Sequence, residues 1–551
     1  MFLREKRIGA YSYIYLVESV REDGRVKQRV IKNLGRKDEV AASGELDRLA
    51  RSVARLAQRT MVLSLLDGGT APGLSPVRIG PALLFERLWE ETGCRAVIEE
   101  AVQERGFGFA LERAVFLTVL HRLMVSGSDR SAERWREDYR IEGTQELELH
   151  HLYRAMAWLG EELADQDGAH ARAPRRTKDA IEEALFDRRR DLFSELSLVF
   201  MDTTSLYFEG AGGQTLGQYG YSRDHRPDLK QMVVAAVIDG EGRPLCCELW
   251  PGNSADVVAL IPVIDRLRRR FGIGGVCVVA DRGIISNETI AALEERKLDY
   301  ILGVRERGDK LVREVVLADQ RPFNPLTLTK RGKETDYGAK DVKLGGVHYI
   351  VCINYAQATK DAADREAILE SLAQQLKKGD KALVGNAGYR RFLKTEGGGG
   401  FAIDQDRVGD DARFDGIFVL RTNTDLHPLQ AMLRYKELWM VEQVFRTAKS
   451  LLATRPIFHK LDETIAGHVF CSFLALVLRK ELEDRLAARG LKFEWADVLR
   501  DLDRLQEIEV EQDDKRFILR TPTTGVAGKL FKAIGVALPP NIREVAPPQA
   551  R

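Results

Sequence analysis

At 551 residues the chain is too long for one core, and ~100–200 residues per domain predicts three or four units. Its 84 basic residues nearly cancel its 83 acidic ones, which excludes a uniformly basic nucleic-acid binder and leaves any anionic partner to local patches. The six cysteines lack C-x2-C spacing, the N-terminus lacks a signal peptide's apolar stretch, and the longest apolar run, around Val469–Leu478, is too short to span a bilayer; reduced thiols, no structural zinc, no membrane partner and a cytoplasmic location are expected.

Residues 1–76 read as a small module. Tyr11, Tyr13, Tyr15 and Val17 alternate, Asp23-Gly24 is a turn signal, and Val26, Val30 and Ile31 form the return strand of a hairpin. Arg4, Lys6, Arg7, Arg21, Arg25, Lys27, Arg29, Lys32, Arg36 and Lys37 crowd it, which suits a solvated sheet and a DNA contact equally. A short helix near Glu45–Gln58 and a Gly- and Pro-rich loop ending at Pro76 complete it. Residues 77–196 follow as a helical domain, with candidates at Pro81–Thr92, Cys94–Gln103, Leu111–Val125, Leu149–Ala164 and Lys178–Phe193.

The pattern then becomes α/β. Leu196–Phe208 is a buried-strand run carrying one carboxylate, Asp202, which is costly there unless paired or bound to a metal. Strands Gln231–Asp239 and Pro244–Trp250 come next, after the polar segment GYSRDHRPDLKQ, where Arg223, His225, Arg226 and Lys230 suit an anion-binding surface loop. A helix at Ala255–Phe271, kinked or broken at Pro262, leads to the apolar strand Gly275–Ala280, which stops at Asp281-Arg282-Gly283. A carboxylate at the carboxyl end of a strand, before a Gly turn and a helix (Ser286–Arg296), is where open α/β sheets place their sites. Tyr300–Val304 is the fifth strand.

Residues 305–414 break this rhythm. Strand-like pieces at Lys310–Leu317, Lys343–Ile353 and Phe401–Ile403, one helix at Asp361–Lys378 and the glycines Gly397–Gly400 predict an inserted, largely β domain separate from the sheet. Gly416–Arg421 returns as a strand. In Tyr435–Lys449, YKELWMVEQVFRTAK, apolar residues three and four apart predict one amphipathic helix, on which Tyr435, Glu442 and Lys449 drift by only ~20° per heptad and stand in a row. Read in isolation, such a row is a solvated stripe. Arg455, His459 and Lys460, an apolar helix at Ile465–Leu486 and a mixed tail over 491–551 end the chain.

Three strands, a helix, a strand, a helix, a strand and a later helix, with acids on the first strand, after the fourth and on the last helix, resembles the ribonuclease H-like fold. More narrowly, the chain resembles DDE transposases of bacterial insertion sequences, in the branch with a β-rich insertion before the glutamate and the signature Y-x2-R-x3-E-x6-K. Here that signature reads Tyr435-x2-Leu438-x3-Glu442-x6-Lys449, with Leu438 at the arginine position, and Asp281-Arg282-Gly283 and GYSRDHRPDLKQ are also similar to this branch. The likeness covers about residues 197–486 and implies a catalytic core of 197–304 and 415–490 around the insertion.

The resemblance implies that Asp202, Asp281 and Glu442 are the catalytic triad, holding two Mg²⁺ ions for which Mn²⁺ could substitute. Phosphodiester chemistry suits such a set, because two ions ~3.5–4 Å apart serve the attacking and leaving oxygens and Mg²⁺ prefers oxygen ligands. Tyr435 and Lys449 are then expected to hold backbone phosphates, with Arg446 in place of the missing arginine; Arg282, Arg226, Lys230, Arg455, His459 and Lys460 are further expected DNA contacts. The implied partners are double-stranded DNA, as transposon ends and target, and a second copy of the chain in the DNA complex. Two other readings stay open: a transposase-derived DNA-binding protein without catalysis, and a two-carboxylate glycoside hydrolase, which would want aromatic platforms near its acids where this chain has Arg, Lys and His.

Overall fold

The computed structural model describes residues 2–22, 25–44, 76–103, 105–167, 169–190, 198–272, 277–304, 309–330, 333–344, 347–377, 387–395, 400–512 and 515–545. The expected Asp23-Gly24 turn, the Glu45–Gln58 helix, most of the loop before Pro76 and glycines 397–399 lie outside these residues. Two units are present: 1–76 with 508–519 and 541–551, and 77–507 with 520–540. The expected C-terminal tail is therefore divided between them.

In the first unit the expected hairpin has a third strand before it, giving the antiparallel order Phe2–Ile8, Tyr11–Glu22, Arg25–Arg36, followed by the helix Lys37–Ala42. Alternation places Tyr13 and Tyr15 opposite Lys6 and Arg4, and the Arg36 guanidinium lies 3.8 Å from the Tyr11 ring centroid.

In the second unit the helices Gly80–Glu91, Cys94–Val102, Leu111–Met124, Leu149–Leu159 and Thr177–Arg188 match the expected helical block. Its axis is the later helix Asp462–Ala487, buried on every side from Thr464 to Leu478 and packed on Leu111–Met124 and Leu149–Leu159. A helix apolar all round belongs inside a core. Where it crosses Leu149–Leu159, a Cβ on Gly160 would stand 1.9 Å from the Glu463 carbonyl oxygen and one on Gly467 2.0 Å from that of Met156, so only glycine allows the approach. The segment expected to close the catalytic core thus also forms the centre of the helical domain.

The sheet has nine strands, in the order Asn324–Lys330, Lys333–Leu344, Val347–Asn354, Ile417–Thr422, Asp299–Val304, Cys277–Ala280, Leu198–Tyr207, Gln231–Asp239, Pro244–Pro251. Cys277–Ala280 runs parallel to both its neighbours, and the remaining described pairings are antiparallel. The helix Asp256–Arg270 runs unbroken through Pro262 and covers one face with Leu260, Val263 and Ile264; Met432, Leu438, Val441 and Phe445 cover the other.

Two expectations need correction. The insertion is not separate from the sheet: Val347–Asn354 pairs with Ile417–Thr422, which pairs with Asp299–Val304, and so the insertion's long hairpins extend the sheet by three strands. They satisfy backbone groups that would otherwise form an open edge. Only its far part, with Leu372, Phe392 and Leu393, builds a small core of its own, and Lys310–Leu317 contains a wide helical turn, Val312–Val316, in place of a strand. Nor is Tyr435–Lys449 one helix. Pro428–Lys436 ends, Trp439–Arg446 begins, and Thr447–Leu451 is a π-type turn. Leu438 is 9% exposed, and burying it tightens the backbone to i→i−3 hydrogen bonds at Glu437, Leu438 and Met440, which breaks the even row of Tyr435, Glu442 and Lys449. Among the described residues, no helix is long and apolar enough to cross a membrane.

Candidate active site

Strand register brings the first two acids together. Met201 pairs with Ala280 on parallel neighbours, so Asp202 and Asp281 are the next residues along each strand and emerge at one level at the end of the Cys277–Ala280 strand. Glu442, on Trp439–Arg446, lines the same cleft of about 460 Å³. Tyr435 Oη, which a Cβ on Gly303 would approach to 2.4 Å, donates a 2.6 Å hydrogen bond to Asp281 Oδ1.

Asp202 is the least exposed of the three, at 19%. Its carboxyl is pushed up to about 6 by burial, against the pull of Arg223 and the Thr203 N–H, with Asp281 and Glu442 adding to the rise. Arg223 is anchored on the same strand: Nη1 reaches the Thr203 carbonyl, Nη2 donates to Thr203 Oγ1 at 2.8 Å, and Nη1 stands 3.7 Å from Asp202 Oδ1. Such a cluster of acids, held apart by fixed backbones and short of cations, is the donor set a hard divalent ion prefers.

Three ligands of a single ion need oxygens within ~4 Å of one another, twice an Mg–O bond of ~2.1 Å. Among the described residues, the group whose ligand atoms all lie within 4.8 Å is a different one, Asp129, His459 and His468. That group suits a metal poorly. Arg122 Nη2 donates to His468 Nδ1 at 2.9 Å and stands 3.9 Å from Asp129 Oδ1, His459 Nε2 is 3.2 Å from His468 Nδ1 and 3.3 Å from Asp129 Oδ2, and His468 Nε2 lies 3.0 Å from the Thr454 carbonyl oxygen. Burial holds His468 well below its ordinary value, hence neutral; burial alone would raise Asp129, but His459 and Arg122 bring it down to about 2. The guanidinium occupies the cation's place.

The expected DNA contacts divide accordingly. His459, 12% exposed, turns inward to this network, which removes it from the expected DNA surface. Lys449 is outside the cleft, paired with Asp224 at 3.1 Å with side chains 12% and 9% exposed; burial holds its ammonium below the ordinary lysine range despite Asp224. Arg455 Nε pairs with the same carboxylate at 3.3 Å. The Arg455 and Arg226 guanidiniums stand 5.5 and 5.6 Å from the Tyr207 ring centroid, and Arg226 also pairs with Asp228 at 2.9 Å. Lys230 Nζ donates to the Ala211 carbonyl at 3.0 Å; Arg282, Arg446 and Lys460 are exposed, and none of the three lines the cleft. Residues the sequence did not single out also line it, among them Lys436 and Trp439 at unspecified positions within the signature, and Asn354, Gln357 and Asp361 from the insertion. No spacing rule could bring in those last three, since they belong to a segment expected to stand apart.

Two family models match the chain: the N-terminal domain of IS1634 family transposases over residues 3–65, and the transposase DDE domain over residues 194–478, just over half of its length. No curated protein matches. A cryo-EM structure of piggyBac transposase in a synaptic complex with hairpin DNA aligns over 78% of this chain and 82% of its own, at 11% identity and a TM-score of 0.34, a likeness too weak to carry an argument. By its DDE domain and its N-terminal match, the chain belongs to the DDE transposases of insertion sequences, DNA-cleaving enzymes that depend on divalent metal.

Proposed function

We propose that the protein binds the ends of its insertion sequence, cuts the DNA there and joins the freed strand to target DNA, with Asp202, Asp281 and Glu442 as the catalytic carboxylates. The observation that carries this reading is their convergence: a mid-strand acid, a strand-end acid and a helical acid, far apart in sequence, line one cleft. Three antiparallel strands followed by two parallel ones, with a helix before each of the latter, support a ribonuclease H-like core.

Asp202, Asp281 and Glu442 would hold two Mg²⁺ ions, which Mn²⁺ could replace and which would supply activation of the attacking oxygen and stabilisation of the leaving one. Tyr435 fixes the Asp281 carboxylate by its 2.6 Å hydrogen bond, and Arg223 anchors the strand on which Asp202 turns into the cleft. Arg282, Arg226, Lys230, Arg455 and Lys460 would meet the DNA backbone, giving position and not sequence. Lys449 would reach a phosphate only by giving up Asp224. Two ends cut together call for two copies of the chain on the DNA.

The test is cleavage of a duplex carrying the element's own terminal repeat, by the full chain with Mg²⁺. Asp202→Asn, Asp281→Asn and Glu442→Gln should each lose nicking with fold and duplex binding kept, and Glu442→Gln should hold DNA as tightly or more tightly because a repelling charge is gone. Metal-dependent nicking at the wild-type rate by any of the three would overturn the triad.

A further inference from the structure

The signature's missing arginine leaves a cleft of four carboxylates, Asp202, Asp281, Asp361 and Glu442, with one cationic side chain among its lining residues, Lys436. Lys436 ends the helix Pro428–Lys436, directly after Tyr435. Its ammonium lies 3.4 Å from the Tyr337 ring centroid and 5.6 Å from that of Phe418. Those rings stand on the strands Lys333–Leu344 and Ile417–Thr422, and Phe418 stacks on Tyr435 at 6.1 Å. Two strands of the extended sheet therefore hold this lysine beside the acids.

From this placement we propose that Lys436 is the phosphate-binding cation of the cleft and takes the place left empty by Leu438; the inference rests on the reading above, that the cleft receives a DNA phosphodiester. Two alternatives fare worse. Lys449 is committed to Asp224 at 3.1 Å. Arg446 is exposed on Trp439–Arg446 but does not line the cleft. Among the described residues no carboxylate lies within 4.0 Å of the Lys436 ammonium, so a phosphate oxygen would displace no ion pair, and aromatic faces attract a cation without neutralising it.

The experiment measures duplex binding by the full chain across a salt series, with nicking assayed in parallel. Lys436→Gln should lower the slope of log K against log salt by ~0.9, one phosphate contact, so that between 50 and 200 mM salt wild type loses about 3.5-fold more affinity than the variant. Lys436→Arg should keep the wild-type slope, which guards against a folding defect, and so should Arg446→Gln. An unchanged slope in Lys436→Gln, or a drop confined to Arg446→Gln, would overturn the proposal while leaving the triad intact. Nicking that survives in Asp202→Asn would instead bring down the reading on which the proposal rests.

Discussion

Replacing Asp202 by Asn should make the metal-free protein more stable at neutral pH. Burial raises this carboxyl from its ordinary 3.8 to about 6 in the folded state. Between those values the folded chain keeps a proton that the unfolded chain releases, so wild-type stability falls as pH rises through this window, and the loss is complete above about 6. At about 1.36 kcal/mol for each tenfold change in proton affinity, the rise from 3.8 to about 6 gives ~3 kcal/mol, and partial solvent access reduces this to ~1–3 kcal/mol. Asn is close to isosteric and carries no charge, so it escapes the penalty. Urea denaturation of both proteins with EDTA present, followed by tryptophan fluorescence, should show Asp202→Asn ahead by that amount at neutral pH, and by only about a third of it near pH 4.5, where wild-type Asp202 is already protonated when folded. A gap that does not change with pH, or a less stable variant at neutral pH, would refute the account of Asp202 as a desolvated, cation-seeking acid.

Two further substitutions probe what holds the site in place. Gly467→Ala should cost ~1–3 kcal/mol, read as a lower urea midpoint, because its methyl would stand 2.0 Å from the Met156 carbonyl oxygen and force the two helices apart; an unchanged midpoint would mean that the crossing is looser than described. Asp224→Asn should cost ~3 kcal/mol on the same assay, since it leaves Lys449 and Arg455 facing each other without their shared carboxylate; a neutral outcome would show that the two cations relax into solvent.

Two of the three acids were legible because each breaks a local rule. Asp202 interrupts a buried apolar strand, and Asp281 sits where an apolar strand stops. Glu442 needed the signature, since as one acid on an amphipathic helix it looks like any solvated charge. What stayed hidden depends on distant partners. Edge strands pair through backbone groups that carry no side-chain code, so the insertion's hairpins could not be assigned to the sheet from their composition. The helix break at Leu438 comes from burying that leucine under the sheet, which periodicity cannot express. Lys449 closes the signature and His459 follows it, and only the fold shows that Asp224 and the Arg122 network hold them.

Near-neutrality overall conceals how the charge is arranged, and the arrangement bears on how DNA is received. Several cations expected to meet DNA are already engaged: Arg226 with Asp228, and Lys449 and Arg455 with Asp224. Phosphates must exchange with these carboxylates, so each contact yields less than a free lysine would, and long-range attraction is weak at a net charge of +1. The cleft repels the backbone most, with four acids against Lys436. Divalent ions remove that repulsion, and by linkage whatever raises the affinity for metal in the presence of DNA raises the affinity for DNA in the presence of metal by the same factor. On the proposed reading, bound metal therefore tightens the hold on DNA at the cleft, in the state that is also able to cut, while contacts outside the cleft keep the duplex bound without it.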